Sequence, residues 1–426
     1  MIEVDDRLEL SVESVAHGGV CVARHDGATV FVRHAMPGER VVAVVTEVRA
    51  TFLRADAVEV LVAAADRVTP PCPWARPGLC GGCDWQHVAP HAQRRLKAEV
   101  VAGQLKSLAG LDVEVVVEVV PGDADGLGWR TRVQYAVSDD GVAGLRKHRS
   151  HDVVAVDWCR IAAPGVVDLD VPGRRWPDAG SVEAIAGGTG DRALVVTPRR
   201  ARARVEPRAD IEASMLVADG KGGVASLRGR PGVREQVGGR TFWVGGSTFW
   251  QVHPGAAAVL VEAVLDVVRP RPGDRAVDLY AGVGLFAAAL AERVAPGGEV
   301  FAVEGAPGAV ADARVNLRDL PAARVAEGRV DAALRRLGLG RVDIAVLDPP
   351  RTGAGRDVVE LLAGLSPRAI AYVACDPAAL ARDLATFATL GYRLDGLRAF
   401  DLFPMTQHVE CVAALVREES VSDRDR

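Results

Sequence analysis

Val277-Asp278-Leu279-Tyr280-Ala281-Gly282-Val283-Gly284 reads as a buried strand that runs into a glycine turn and out into a helix. The apolar run from Arg275 to Tyr280 has strand length, and Leu285–Val294 has helical length and composition. Small residues in such a turn let the backbone come close to a nucleotide-like ligand. A second expected strand, Glu299–Val303, runs into Glu304, and an acid at that place accepts hydrogen bonds from ribose hydroxyls. Gly-x-Gly alone is an ordinary tight turn as often as a ligand site. The strand–helix context and the later acid favour a cofactor site. NAD(P) stays open on these residues, although the third glycine of its fingerprint is missing.

Downstream the same style continues: a helix near 307–317, a strand at Val342–Leu347, and a helix near 356–364. A strand at Ala369–Ala374, a helix at 378–389 and β runs at 392–400 and 409–416 complete the series. Strands alternating with helices predict an α/β fold, a doubly wound, Rossmann-like sheet. Upstream, from Arg7 to about Val62, short β runs are separated by turn signals at Gly18-Gly19, Asp26-Gly27 and Pro37-Gly38. That spacing predicts a small OB-like β-barrel. A linker ends in Thr69-Pro70-Pro71, a cysteine-rich segment covers 72–87, and a helix is expected at 89–108, packed on the C-terminal domain. Residues 111–235 are rich in β-branched residues, Gly and Pro, and read as a mostly-β middle module of untraced topology. The expected domains are 1–62, 63–238 and 239–418, with a polar, disordered tail at 419–426.

A length of 426 residues suits about three domains, and 49% apolar residues suits globular burial. No run reaches the about 18 apolar residues of a membrane span, and the first residues have neither a basic flank nor an apolar core. No membrane and a cytoplasmic setting are therefore expected. The net charge of −5 does not announce a nucleic-acid binder, but a global sum does not exclude a basic face. Arg130, Arg132, Arg146 and Arg149 with Lys147 and His148 form one candidate RNA face, and Arg199, Arg200, Arg202 and Arg204 another. A solvated strand face explains either group equally well.

Seven cysteines, an odd number, argue against a disulfide framework. Cys72, Cys80 and Cys83 cluster, with Cys159 as a candidate fourth ligand, and such thiols bind zinc or an iron–sulfur cluster; spacing alone leans to zinc. Cys21 and Cys411 read as structural. At the strand ends stand Leu347-Asp348-Pro349-Pro350-Arg351 and Ala374-Cys375-Asp376-Pro377. The carboxyl edge of an α/β sheet is where ligands bind. A helix N-terminus just beyond Cys375 would lower its thiol pKa.

Cys375-Asp376-Pro377, Leu347-Asp348-Pro349-Pro350-Arg351, Phe249-Trp250-Gln251-Val252 and Asp401-Leu402-Phe403-Pro404-Met405-Thr406-Gln407-His408-Val409-Glu410 together resemble the bacterial RNA 5-methyluridine methyltransferase family. His17-Gly18-Gly19-Val20 with Met36-Pro37-Gly38-Glu39 resembles that family's N-terminal TRAM domain. The resemblance covers nearly the whole chain. It implies a class I methyltransferase domain that transfers a methyl group from S-adenosylmethionine to uridine carbon-5 in structured RNA. It implies Cys375 as nucleophile and Glu410 as the base for the carbon-5 proton, with Gln251, Tyr280, Glu304 and Asp348 on the methyl donor. Ribosomal RNA is expected ahead of transfer RNA, and a monomer is expected. The branch that modifies ribosomal RNA carries a 4Fe–4S cluster, which shifts the expectation for Cys72, Cys80, Cys83 and Cys159 from zinc to that cluster. His253 and Leu285 depart from residues usual in the family. An amino-group nucleic-acid methyltransferase, whose motif has an aromatic where Arg351 stands, is one alternative; a catalytically dead, redox-sensing RNA-binding protein is another.

Overall fold

The computed structural model describes residues 2–200, 206, 208, 210–220 and 222–418. Arg202, Arg204 and the tail at 419–426 lie outside the described residues. Among the described residues, five strands close a barrel: β1 (Arg7–Val15), β2 (Cys21–His25), β3 (Ala28–Arg33), β4 (Arg40–Val48) and β5 (Phe52–Val62), in the order β1-β2-β3-β5-β4. Alternation drives closure. Leu8, Leu10 and Val12 of β1 point inward with Val30, Val32, Val41, Ala43 and Val45, and polar residues between them face out. Glu39, buried in the turn before β4, accepts from Met36 N at 2.8 Å and pairs with Arg67 of the linker. That pairing ties the barrel to the linker.

The helix α1 (Pro90–Ala109) starts on a proline and ends at Gly110, whose φ of 68° only glycine adopts freely. It packs against the C-terminal domain and buries Leu96, Val101 and Leu105. Its fully buried Lys97 reaches Asp401 at 2.6 Å and Phe403 O at 3.0 Å. Beyond it β6 (Val117–Val119) does not join the middle module, where the sequence reading put it. It pairs in parallel with the last-but-one strand of the C-terminal sheet. Burial of Val117 and the ion pair of Glu118 with Arg398, at 2.8 and 2.9 Å, account for that placement.

The middle module is a sheet of β7 (Arg132–Val137), β8 (Ala143–Arg146), β9 (Val153–Ala155), β10 (Ala179–Ala186), β11 (Arg192–Pro198), β12 (Ser214–Ala218) and β13 (Val224–Arg228), with a short helix α2 (Pro164–Val167). A separate hairpin, β14 (Gly232–Val237) and β15 (Arg240–Gly245), leads to the C-terminal domain. There α3 (Ala256–Val268), β16 (Arg275–Leu279), α4 (Leu285–Val294), β17 (Glu299–Glu304), α5 (Pro307–Asn316) and β18 (Ala323–Glu327) come first. Next are α6 (Val330–Leu337), β19 (Ile344–Leu347), α7 (Arg356–Gly364), β20 (Ala369–Ala374), α8 (Pro377–Thr389), β21 (Tyr392–Asp401) and β22 (Glu410–Arg417). The sheet order is β18-β17-β16-β19-β20-β22-β21-β6, and β16 to β20 run parallel. Near-continuous apolar runs such as Ile344–Leu347 and Ala369–Ala374 are buried on both faces, as a sheet covered by helices on each side requires. Among the described residues no helix is long and apolar enough to cross a membrane.

Candidate active site

The carboxyl ends of the parallel strands open into a cavity of about 1370 Å³. Gln251, Tyr280, Glu304, Asp348, Arg351, Cys375 and Glu410 all line it. Cys72, Cys80, Cys83 and Cys159 also line it. Every residue named as a site residue from the sequence therefore faces one space.

The register brings Cys375 and Glu410 together. Strands β20 and β22 run antiparallel with Ala374 opposite Cys411, so Cys375 and Glu410, each one residue further along, stand side by side. Glu410 is 3% exposed. Burial raises its pKa well above the usual carboxylate range; the Asp348 charge adds to this and Arg351 opposes it. Burial likewise lifts Asp348 to about 7. The Cys375 thiol is pushed up to about 12 by burial and by the Glu410 charge, against Arg351. This corrects the expectation of a lowered thiol pKa. Asp376 caps α8 and its side chain accepts from Ala379 N at 2.8 Å, so the helix end spends its orphan N–H on the cap. In the free protein burial outweighs what the helix terminus offers.

On the donor side, Tyr280 adopts a φ of 62°, which turns the chain sharply out of β16. Gly284 has a φ of 89°, and a Cβ there would meet Leu317 at 3.0 Å. Glu304 accepts from Gly282 N at 2.9 Å and from Gly305 N and Ala306 N at 2.6 Å each. Its carboxylate is thus locked against the glycine turn with lone pairs left for a ligand's hydroxyls. Beneath the turn Asp278 is fully buried, and neither carboxylate oxygen finds a well-formed hydrogen bond. The cleft is glycine-floored and acidic, which fits a nucleoside carrying positive charge.

Gln251 sits on a segment pinned from two sides. Arg132 Nη1 donates to Thr248 O at 2.6 Å, Thr131 N donates to Val252 O at 2.8 Å, and Gly245 N donates to Asp312 of α5 at 2.8 Å. Arg132 is 7% exposed, and Arg130 Nε donates to Arg132 O at 3.1 Å. Arg132 is therefore an internal strut and not part of an outer RNA face, contrary to the sequence reading, whereas Arg130 is half-buried and lines the cavity. Arg146, His148 and Arg149 are exposed as expected, and so is Arg200. Arg199 is spent on Asp139 and on the carbonyls of Val137, Ser138 and Ala179. His253 is buried, accepting from Gly255 N at 3.1 Å beside Trp129, and acts as packing. Leu285 lines the cavity with an apolar side chain.

The cysteines at 72, 80, 83 and 159 form no disulfide. Gly82 N donates to Cys80 Sγ at 3.4 Å, and the Ile161 and Ala162 amides favour the Cys159 thiolate. Burial lifts Cys80 to about 11 and Cys83 well above the ordinary range, and the neighbouring cysteines push in the same direction. Thiols that repel one another's ionisation need a cation among them to become thiolates. Among the described residues no three His, Cys, Asp or Glu form a site for a single metal ion. Cys21 and Cys411 are buried and structural, Cys21 donating to Ala35 O at 3.2 Å.

The tRNA (uracil-5-)-methyltransferase family model matches residues 236–418, and a TRAM domain model matches 3–58. An uncharacterized RNA methyltransferase of Streptomyces coelicolor is 54% identical, over 97% of this chain and 93% of its own. The 23S rRNA (uracil(1939)-C(5))-methyltransferase of Alkalilimnicola ehrlichii is 34% identical over 96% of each chain. In fold, the Pyrococcus abyssi tRNA (uracil-54, C5)-methyltransferase, solved with S-adenosyl-L-homocysteine, superposes with a TM-score of 0.73 at 23% identity, over 96% of this chain and all of that one. With the glycine-floored donor cleft and the RNA-binding barrel on one chain, this protein belongs to the S-adenosylmethionine-dependent RNA uracil-C5 methyltransferase family.

Proposed function

We propose that the chain methylates carbon-5 of a uridine in ribosomal RNA through a covalent bond between Cys375 and the base. The observation that carries this is the side-by-side placement of Cys375 and the buried Glu410 at the floor of the cavity. Uracil carbon-5 is a weak nucleophile. Addition of the Cys375 thiolate to carbon-6 makes carbon-5 an enolate carbon. S-adenosylmethionine supplies the methyl group that this carbon takes, its sulfur–methyl bond breaking to leave S-adenosylhomocysteine. Glu410 then removes the carbon-5 proton, the carbon-5–carbon-6 double bond re-forms, and the sulfur–carbon-6 bond breaks to release Cys375. A carboxylate with a raised pKa is the better base for a carbon-bound proton. The thiol proton passes to solvent before attack, leaving Glu410 unprotonated for the later step, and the Arg351 charge favours the thiolate.

Gln251, Tyr280, Glu304 and Asp348 would hold the donor in this reading, Glu304 through ribose hydroxyls. Ribosomal RNA is favoured by the Alkalilimnicola ehrlichii relative, which is aligned almost end to end with this chain. Cys72, Cys80, Cys83 and Cys159 would hold a 4Fe–4S cluster through their thiolates. Support comes from four cysteines that line one cavity and form no disulfide, with the Gly82 N–H donating to Cys80 Sγ. The chain divides in this reading into 1–62, 63–238 and 239–418, except that α1 and β6 pack with the last part. A ribosomal RNA substrate supports a cytoplasmic setting. The test is a transcript of large-subunit ribosomal RNA containing 5-fluorouridine, incubated with protein and donor. Wild type should give an adduct that survives a denaturing gel, because fluorine does not leave as a proton does. Cys375→Ala should give none; persistent adduct or methylation would overturn the covalent reading.

A further inference from the structure

The β1–β2 turn of the N-terminal barrel touches both segments that carry the reacting groups. His17 Nε2 lies 3.3 Å from Asp376 Oδ2. Asp376 follows Cys375 directly and caps α8 through Ala379 N. Two residues on, Gly19 sits against Gln407, three residues before Glu410. A Cβ at Gly19 would stand 2.3 Å from Gln407 Cβ, and the glycine holds a φ of +75°. Gly19 O accepts from Trp85 Nε1 at 2.9 Å, and Trp85 N donates to Met405 O at 3.0 Å. The turn is itself braced, with Ala16 N donating to Val20 O at 2.7 Å and Gly19 N to Ala16 O at 3.2 Å.

An RNA platform that only added affinity would need none of these contacts. Its binding surface would face outward, while its turn would be free to vary in shape. Here one rigid turn bridges the chain after the nucleophile and the chain before the base. We propose that the His17-Gly18-Gly19 turn is a positioning element for the chemical step: it fixes Asp376, and with it Cys375, relative to Gln407 and Glu410. His17 is a positioning residue, since it acts through Asp376. The inference rests on Cys375 and Glu410 being the reacting pair. A displacement of about 1 Å between reacting groups is enough to cost about 100-fold in rate.

The test uses the full-length protein with single-turnover methylation of the ribosomal RNA transcript at saturating RNA, and separate measurement of RNA and donor Kd. His17→Ala should slow the methylation step by about 10-fold or more while both Kd values stay within about twofold. His17→Gln, which keeps a donor within reach of Asp376, should restore most of the rate. Gly19→Ala, which pushes on Gln407, should slow the same step. Unchanged single-turnover rates in His17→Ala, or a loss confined to RNA Kd, would overturn the proposal. So would equal loss in His17→Ala and His17→Gln. Cys375→Ala in parallel separates the two ideas: if it still methylates, the catalytic pair itself is wrong. If it is dead while His17→Ala is normal, the pair stands and the turn is packing.

Discussion

Lys97 offers a quantitative test away from the reacting atoms. It is wholly buried on α1, 2.6 Å from Asp401 and 3.0 Å from Phe403 O, and Asp401 is itself 4% exposed. Lys97→Met keeps the packing volume but leaves the Asp401 carboxylate in the interior without its cation. Removing one partner of a buried pair costs about 3–5 kcal/mol. At about 1.4 kcal/mol per factor of ten, the unfolding equilibrium should shift by two to four orders of magnitude. Asp401→Asn on top of Lys97→Met removes the stranded charge, so the double variant should recover at least about 2 kcal/mol relative to additivity. Urea unfolding followed by tryptophan fluorescence measures this. The same change should slow methylation, because Asp401 leads into the segment that ends at Glu410. A cost below about 1 kcal/mol for Lys97→Met, or strict additivity in the double variant, would refute the claim that this pair anchors the segment.

Three further outcomes are expected. Cys159→Ser in anaerobically purified full-length protein should lose most of its iron and sulfide, although it is remote in sequence from Cys72, Cys80 and Cys83; full retention would mean that another ligand completes the set. Cys375 in the free protein, with its thiol pushed up to about 12, should be alkylated by iodoacetamide at pH 8 at least about 100-fold more slowly than free cysteine, as read by peptide mass spectrometry. His87 is buried, its Nε2 lies 3.3 Å from Ala35 O, and burial lowers its pKa to about 4 from 6.5. The unfolded chain therefore binds a proton first as pH falls, so the stability from neutral His87 is present above pH 6.5 and is lost toward pH 4. The slope is about 1.4 kcal/mol per unit, and His87→Gln should flatten it in urea titrations at successive pH values.

The donor half of the site was the most legible. Asp278 to Gly284 announces a strand, a turn and a helix by local pattern, and the apolar run Ala369–Ala374 ending in Cys375-Asp376-Pro377 announces the edge where chemistry sits. Local pattern also yields the alternating barrel strands. Three residues are too few for a periodicity, so Val117–Val119 gave no sign of joining the C-terminal sheet. Arginine in sequence shows charge and not depth. Arg132 therefore reads as part of an RNA face from sequence, while tertiary contacts bury it. The link from His17 to Asp376 spans most of the chain, and nothing local to either residue signals it. Nor does composition reveal that burial would overrule a helix terminus at Cys375.

The division of labour between Cys375 and Glu410 is tested most directly by Glu410→Gln. In the proposed mechanism Cys375 acts before methyl transfer and Glu410 after it, so this variant should add to the base and methylate it, then stall. Digestion of the stalled protein–RNA complex, followed by mass spectrometry, should find the peptide containing Cys375 joined to a uridine that already carries the methyl group. A methyl-free adduct, an adduct on another residue, or normal turnover by Glu410→Gln would contradict the account.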